Sequence, residues 1–539
     1  MAEAPSFMTP VVWCILITET AERFAYFGFR AILVLYFTSE LKYSEETAIA
    51  LFAYMASLAY LAPLPGAMLA DGALGRYTTI LWFGVVYAIG LIILTISALV
   101  EADMHLQRMM SFTGLFLVCA GTGGIKPCVS AFGADQVAHM DKIASEKVLR
   151  LQESVELMKH SVATIGGHDD VLRQEMTKSF HQDSERVRAF FASFYFCINL
   201  GAVTSIAIIP IVRSNFGFGA AFLVPTTFIC LSLLAFLSKT KEYIHQKPGE
   251  NSLSATFAFC WWLTRKSLAN NPWIGRMIPC IRPKRAPIPN FEGSDEEVSP
   301  VENQRLADAK QALHVLPIMS FSCIFWMLYD QQGSVWTLQA TRMALHGLQP
   351  EQLNVINPVQ IMLFIPLFDR VIYPTLEHRG VRLSHIRRMM IGMVLTSISF
   401  AFSGLIESTI QNHEENDLPQ ISVFWQLPQI TLLAIAEIFI SVTGLEFAYA
   451  SSPDSMKAFL MAIYLLTTAV GDFLGGVLYS SIFQTINRAT VMHVCAFLMM
   501  CNFGAFVWVA AWWEEVESKR NEAVVELTGD TVKCAENPI

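Results

Sequence analysis

The sequence is short of charge. Only 15% of its 539 residues are Asp, Glu, Lys or Arg, against 53% that are hydrophobic. That balance excludes an ordinary soluble domain and a disordered chain alike. Its 11 cysteines form no secreted-disulfide pattern. Cys119, Cys128, Cys197, Cys230, Cys323 and Cys501 lie within apolar runs and read as small packing residues. Histidine is absent from the middle of every run, since His314, His385 and His493 sit near run ends. No nucleophile–base set, metal-ligand spacing or soluble catalytic domain is present, which argues against an enzyme. Glu-x-x-Glu occurs, but the Glu-x-x-His partners of a di-iron bundle do not. The N-terminus MAEAPSFMTP lacks a basic n-region, so the first apolar run is expected to stay in the protein as a helix. The net charge of −9 falls mostly in loops and says little about partners.

What the chain has in quantity is apolar length. Hydropathy predicts spans at 11–37, 47–70, 77–99, 109–132, 188–211 and 218–238. After a polar stretch come 312–340, 352–374, 385–406, 421–449, 456–484 and 490–513. Each has the roughly 20 apolar residues that a membrane helix needs. The expected fold is an all-α membrane protein with twelve transmembrane helices in two six-helix bundles. The bundles are 1–238, with a cytoplasmic insertion at 136–187, and 312–514. A linker at 239–311 joins them, and a cytoplasmic tail occupies 515–539. Basic residues including Arg76, Lys142, Arg150, Lys239, Arg379, Arg387 and Lys457 fall on one side, which sets both termini in the cytoplasm. In the insertion, VLRLQESVELMKH has helical apolar spacing and predicts an amphipathic helix. In the linker, Trp261, Trp262, Arg265 and Lys266 suit a membrane interface, while EGSDEEVSP suits a flexible connector.

The first span is apolar and charged at once. Within Trp13–Phe37 it carries Glu19, Glu22, Arg23 and Arg30. At about 100° per residue these and Tyr26 share a sector roughly 100° wide. A charge at mid-membrane costs on the order of 3 kcal/mol even on the lenient insertion scale. Four on one face therefore point to a watery cavity where an ionic solute or a proton binds. The plainer alternative is a Glu19–Arg23 pair at i,i+4 that steadies the helix.

The second span ends in LPGAMLADGALGRY, with Asp71 and Arg76 around a Gly-containing turn, and the eighth ends in an echo, IPLFDRVIYP, with Asp369 and Arg370. The repetition supports paired halves. The fourth span carries GTGGIKPCVSAFGADQ. It is no phosphate loop, because the spacing is wrong and the run lies inside an apolar segment. Gly121 and Gly124 read as close-packing positions, Pro127 as a bend, and Lys126 as a buried ammonium or one that snorkels to the interface. In the seventh span Trp326 and Asp330 share a face above Gly333. In the tenth, Glu437 and Glu446 are nine residues apart, on roughly opposite faces of a regular helix. Both can face one cavity only if the helix is broken or twisted. Glu437 and Asp472 are left without a role at this level.

These motifs carry a family resemblance. ETAERFAYFG resembles the ExxERFxYYG signature of the proton-coupled oligopeptide transporters of the major facilitator superfamily, and GTGGIKPCVSAFGADQ resembles their fourth-helix signature. FWMLYDQQGSVWTLQA, NVINPVQIMLFIPLFDRVIYP and SVTGLEFAYASSPDSMK resemble their seventh, eighth and tenth helices. The resemblance implies the major facilitator fold, alternating access, and symport of di- and tripeptides with protons. Lys126 with Arg23 or Arg30 is expected to hold the peptide carboxylate, and Glu446, matched by the family motif, the amine, with Asn199 and Asn357 beside it. Tyr26, Tyr60, Trp326 and Tyr464 are the expected walls. Glu19, Glu22, Asp330 and Glu446 are the expected proton-carrying carboxyls. Arg30 with Asp330, and Lys126 with Glu446, are the expected gate pairs. A monomer in the lipid bilayer is implied, with no metal, no nucleic acid and no cofactor beyond the proton gradient. The plasma membrane is expected ahead of lysosome or vacuole.

The sequence departs from the family pattern in places. The second signature Tyr is Phe27, and the second-helix His of animal members falls at Ala53. SQAP becomes ASSP, an eleventh-helix Trp becomes Tyr464, and the loop at 407–420 has no room for a large extracellular domain. The competing expectation is a relative that carries nitrate or another small solute, as plant members with similar signatures do.

Overall fold

The computed structural model describes residues 9–100, 103–159, 169–245, 300–380, 383–452 and 457–535. Trp261, Trp262, Arg265, Lys266 and the acidic run of the linker lie outside the described residues, as does Asp454 of the ASSPDS motif.

Every extended element among the described residues is a helix. The first unit, by contacts, comprises 1–43, 61–250 and 351–355. It begins with α1, Pro10–Leu35, where Thr9 caps the Val12 N–H and Pro10 takes the first-turn position that needs no donor. It continues through α3, Pro63–Leu69; α4, Arg76–Leu99; α5, Met104–Lys159; and α6, Asp169–Ser238. Helical backbone thus runs well into the predicted insertion from both ends. α6 holds two spans, divided where Gly217 adopts φ +83°, a left-handed conformation that favours glycine. α1 lies along α6, while α4 packs on α5 and α6. Hydroxyls join the helices: Tyr36 Oη lies 2.9 Å from Ser111 Oγ and 3.1 Å from Ser97 Oγ, all three buried. Such bonds in membranes are worth about 0.6 kcal/mol on average.

Past the end of α6 the chain folds back onto this unit. Gln136 pairs with the backbone of Ile244 as a strand would, donating to its carbonyl at 3.0 Å and accepting from its N–H at 2.9 Å. Tyr243 stacks on Phe236 at 5.0 Å and closes a ring cluster with Tyr77 and Phe132. Burial pushes the Tyr243 phenol up from its ordinary pKa. The first residues of the linker are therefore docked.

The second unit comprises 44–60, 251–350 and 356–539. α2, Glu45–Leu61, lies almost wholly within it. Ser57 Oγ donates to the Ala469 carbonyl at 2.7 Å, and Tyr54 Oη is 2.9 Å from Ser480 Oγ. α7 is Pro300–Ser320 and α8 is Ser322–Tyr329; a 3-10 turn, Asp330–Gly333, leads into α9, Val335–Ala340. Then come α10, Ile356–Leu367; α11, Tyr373–His378; α12, His385–Glu415; and α13, Leu427–Glu437. α14, Thr443–Ala450, α15, Lys457–Ser480, and α16, Arg488–Ala535, complete it. α12 packs on α13 and α16, and α8 packs on α15. The echoed Asp71 and Asp369 both fall in π-helical turns, Ala70–Leu74 and Phe368–Ile372, so the repeat extends to backbone geometry.

Ten of the described helical stretches are long and apolar enough to cross a membrane. One of them, Ala189–Ser238, is the pair divided at Gly217, and Pro10–Leu35 with its four charges makes the twelfth span. Trp82, Phe116, Leu363 and Trp508 are each more than half exposed. Lipid, not water, suits so much bare apolar surface.

Candidate functional site

The charged face of α1 is buried in the first unit. Glu22 is fully buried, and Glu19 and Arg23 are within 5% of it. Arg23 Nε stands 3.2 Å from Glu19 Oε1, and its Nη2 meets Glu22 Oε2. The guanidinium lies 5.8 Å from the Tyr26 ring centroid. Both readings of the Glu19–Arg23 spacing meet here: the pair exists, but it shares its cation with Glu22 and so cannot serve as a neutral brace. Lys126 on α5 lies in the field of Arg23, Glu22, Arg30 and Glu19.

Small residues bring these helices close. A Cβ on Gly201 would lie 2.6 Å from the Thr20 carbonyl, one turn before Arg23. On Gly121 it would meet Tyr87, and on Gly124 the Phe83 ring, both well inside contact distance. The fourth-helix glycines therefore set how near α5 comes to α4, as close-packing positions do. Asn199 is more local than expected: its Nδ2 donates to the Tyr195 carbonyl of its own helix at 2.8 Å.

In the second unit the centre is Glu437, at the end of α13. Asn357 Nδ2 lies 3.2 Å from Glu437 Oε2, 3.0 Å from Tyr329 Oη and 3.2 Å from Gln332 Oε1. The Tyr329 hydroxyl also bonds Glu437. The Trp326 ring stands edge-on to Tyr329 at 5.4 Å, and its indole Nε1 is buried with no hydrogen-bond partner among the described residues. Asp330 is 7% exposed and faces Glu437 electrostatically. Tyr60 belongs to this unit too. Arg30 and Lys126 belong to the first unit, Asp330 and Glu446 to the second.

The expectation that Asn357 stands beside Glu446 is corrected: the carboxyl that Asn357 meets is Glu437. Glu446 has a side chain 51% exposed, 3.7 Å from His385 Nε2 and from Arg388 Nη1. The cause is a π-helical turn at Ile438–Val442 between the two glutamates. It changes the facing that a regular helix would impose. Tyr464 sustains that turn, its hydroxyl donating to the carbonyls of Ile440 at 3.0 Å and Ser441 at 3.1 Å. Tyr464 is thus a support of the site's backbone and not an open wall. Asp472, on α15, is buried. Sequence reasoning passed over Tyr329 and left Glu437 without a role. The signal was there: Glu437 is a mid-span carboxylate, as costly there as Glu19.

Comparison with known proteins agrees with this architecture. The profile of the POT family (PTR2) matches residues 77–494. The Arabidopsis thaliana protein NRT1/PTR FAMILY 8.5 is 30% identical over 86% of this chain and 80% of its own length. Peptide transporter family 1 of Drosophila melanogaster is 33% identical over 74% of this chain, which spans about half (47%) of that relative's length. The solved structure of the POT family transporter PepTSo superposes with a TM-score of 0.71 at 25% identity, over 94% of this chain and 98% of that one. With its twelve spans and the profile match across most of its length, the chain belongs to the POT family of membrane transporters.

Proposed function

We propose that this transporter is a proton-coupled symporter of di- and tripeptides that works by alternating access. The reading rests on one observation above all. Glu437 is a carboxyl held by Asn357 and Tyr329 in the second unit, whereas the first unit gathers Arg23, Arg30 and Lys126. A peptide zwitterion carries charges of both signs, and the chain holds a carboxyl cluster and a cation-bearing cluster. Nitrate has no cationic end, and a buried carboxyl would repel it. Trp326 offers adaptable apolar surface for variable side chains. Glu19, Glu22 and Asp330 are the proposed proton carriers, since a carboxyl's proton affinity changes with burial and with the cations beside it. Glu437 replaces Glu446 in the proposed contact with the amine. We place both termini in the cytoplasm and the protein, as a monomer, in the plasma membrane.

The test is uptake into proteoliposomes under an imposed proton gradient, comparing a labelled dipeptide with nitrate. Dipeptide should accumulate and a protonophore should abolish the accumulation. Gradient-driven nitrate uptake without dipeptide uptake would overturn the reading.

A further inference from the structure

The Asn357 amide has more acceptors than hydrogens. Tyr329 Oη, Gln332 Oε1 and Glu437 Oε2 all lie within 3.2 Å of its Nδ2. An NH2 group carries two hydrogens, and the Tyr329 hydroxyl directs its own toward Glu437. Turning the amide over gives no relief, because Oδ1 would then face the Glu437 carboxylate. The side chain is 2% exposed, so bulk water does not resolve the competition.

Charge decides which acceptor wins. A hydrogen bond to an ionised group is roughly twice as strong as a neutral one. A bare Glu437 carboxylate therefore claims Asn357, leaving Tyr329 and Gln332 to share what remains. Once a cation neutralises Glu437, that advantage goes and the amide is available to Gln332. Gln332 sits in the 3-10 turn Asp330–Gly333 that separates α8 from α9. Its neighbour Gln331 is fixed from the other side: Tyr479 Oη donates to Gln331 Oε1 at 2.9 Å, and Gln331 Nε2 to the Met327 carbonyl at 3.3 Å. One glutamine of the turn is anchored and the next is contested.

We infer that Asn357 is a positioning residue that reports occupancy of Glu437 to the break in the seventh helix, through Gln332. The inference rests on the proposed reading that Glu437 receives a substrate ammonium. With Glu437 empty, Gln332 is weakly held and α9 is loose at its first turn. With Glu437 occupied, Asn357 fixes Gln332 and ties that turn to α10. Besides Tyr329, the titratable groups facing Glu437 are Tyr464 and Asp330, the latter being itself the first residue of the turn.

Hydrogen exchange over residues 330–340 tests this, on the full chain in lipid nanodiscs with and without alanyl-alanine. The loaded wild type should exchange about fivefold more slowly than the empty one, the effect of about one net hydrogen bond. Gln332→Leu cannot accept a hydrogen bond; it should bind dipeptide yet lose the slowing. Gln332→Glu accepts with a full charge, so it should hold Asn357 and exchange slowly even with nothing bound, a pattern that a purely structural role would not follow. A ligand-free arm uses Glu437→Gln, whose neutral side chain should slow exchange with nothing bound, and adding Gln332→Leu should cancel the effect. Absence of dipeptide binding to the wild type overturns the cargo reading alone. Empty Glu437→Gln exchanging at the empty wild-type rate overturns the relay, as does loaded Gln332→Leu exchanging as slowly as loaded wild type.

Discussion

Arg213 grips Glu351 with both edges of its guanidinium, Nε to Oε1 at 2.6 Å and Nη2 to Oε2 at 3.2 Å. The glutamate is fully buried. Gln352 adds a bond to the Ala207 carbonyl at 2.9 Å, so residues 351–355 are fastened to α6 within the first unit. Removing one partner of a buried pair costs about 3–5 kcal/mol, while replacing both with apolar groups of similar volume is often neutral. Arg213→Ala should therefore lower the apparent melting temperature in detergent by several degrees. Arg213→Met with Glu351→Leu should recover most of that loss. A single mutant as stable as wild type would show that the pair contributes nothing.

Tyr464 and Gly444 support the π-helical turn jointly. A Cβ on Gly444 would lie 2.6 Å from the Tyr464 hydroxyl. Tyr464→Phe leaves the Ile440 and Ser441 carbonyls without that donor, a loss of about 1–3 kcal/mol. Gly444→Ala should displace the ring as well, and so be the more damaging of the two. Thermal stability together with dipeptide binding checks the order. If the turn matters to the site, both variants weaken binding, Gly444→Ala the more.

Much of this architecture was legible because membrane helices announce themselves by length, and because a charge inside one is expensive enough to need a reason. Glu19, Glu22 and Arg23 were found that way, and the structure joins them. The spacing of Glu437 and Glu446 allowed a shared cavity only if the helix were broken, and spacing cannot say which glutamate a break turns inward. That is set by Tyr464, 18 residues beyond Glu446, and by Gly444, which leaves room for its hydroxyl. Asn199 shows a second limit of reading from sequence, since its Nδ2 bonds the Tyr195 carbonyl of its own helix. A buried amide can be satisfied by its own helix, and composition does not reveal when it is.

The docked start of the linker gives a third prediction. Gln136 supplies both bonds to Ile244 and is 1% exposed. Gln136→Leu removes both, and hydrogen exchange at Ile244 should quicken by tenfold or more, on the order of two lost bonds. Gln136→Glu keeps the acceptor only and should fall between. Alkaline pH acts on the same strap. Burial raises the Tyr243 phenol above its unfolded value of about 10. The stabilisation is therefore complete below that value and declines as pH rises beyond it. Tyr243→Phe should remove this alkaline loosening, read by the fluorescence of a reporter placed at His245.

The division of labour between the two glutamates of the tenth span is the sharpest test of the site. Glu437 holds Asn357 and Tyr329 in the interior, whereas Glu446 is half exposed beside His385 and Arg388. An exposed pair is worth about 0–1 kcal/mol and is screened by salt. Glu446→Gln should therefore leave dipeptide uptake within about twofold of wild type. Glu437→Gln removes the negative charge that Asn357 meets. It should cost at least about a hundredfold in uptake, the scale of losing a charged hydrogen bond of about 3 kcal/mol. N-acetylated dipeptides, which lack the ammonium, should compete poorly with the wild type and gain nothing from Glu446→Gln. Surface expression of each variant separates loss of transport from loss of protein. If Glu446→Gln abolishes uptake while Glu437→Gln spares it, the amine contact lies at Glu446 and the site must be redrawn around it.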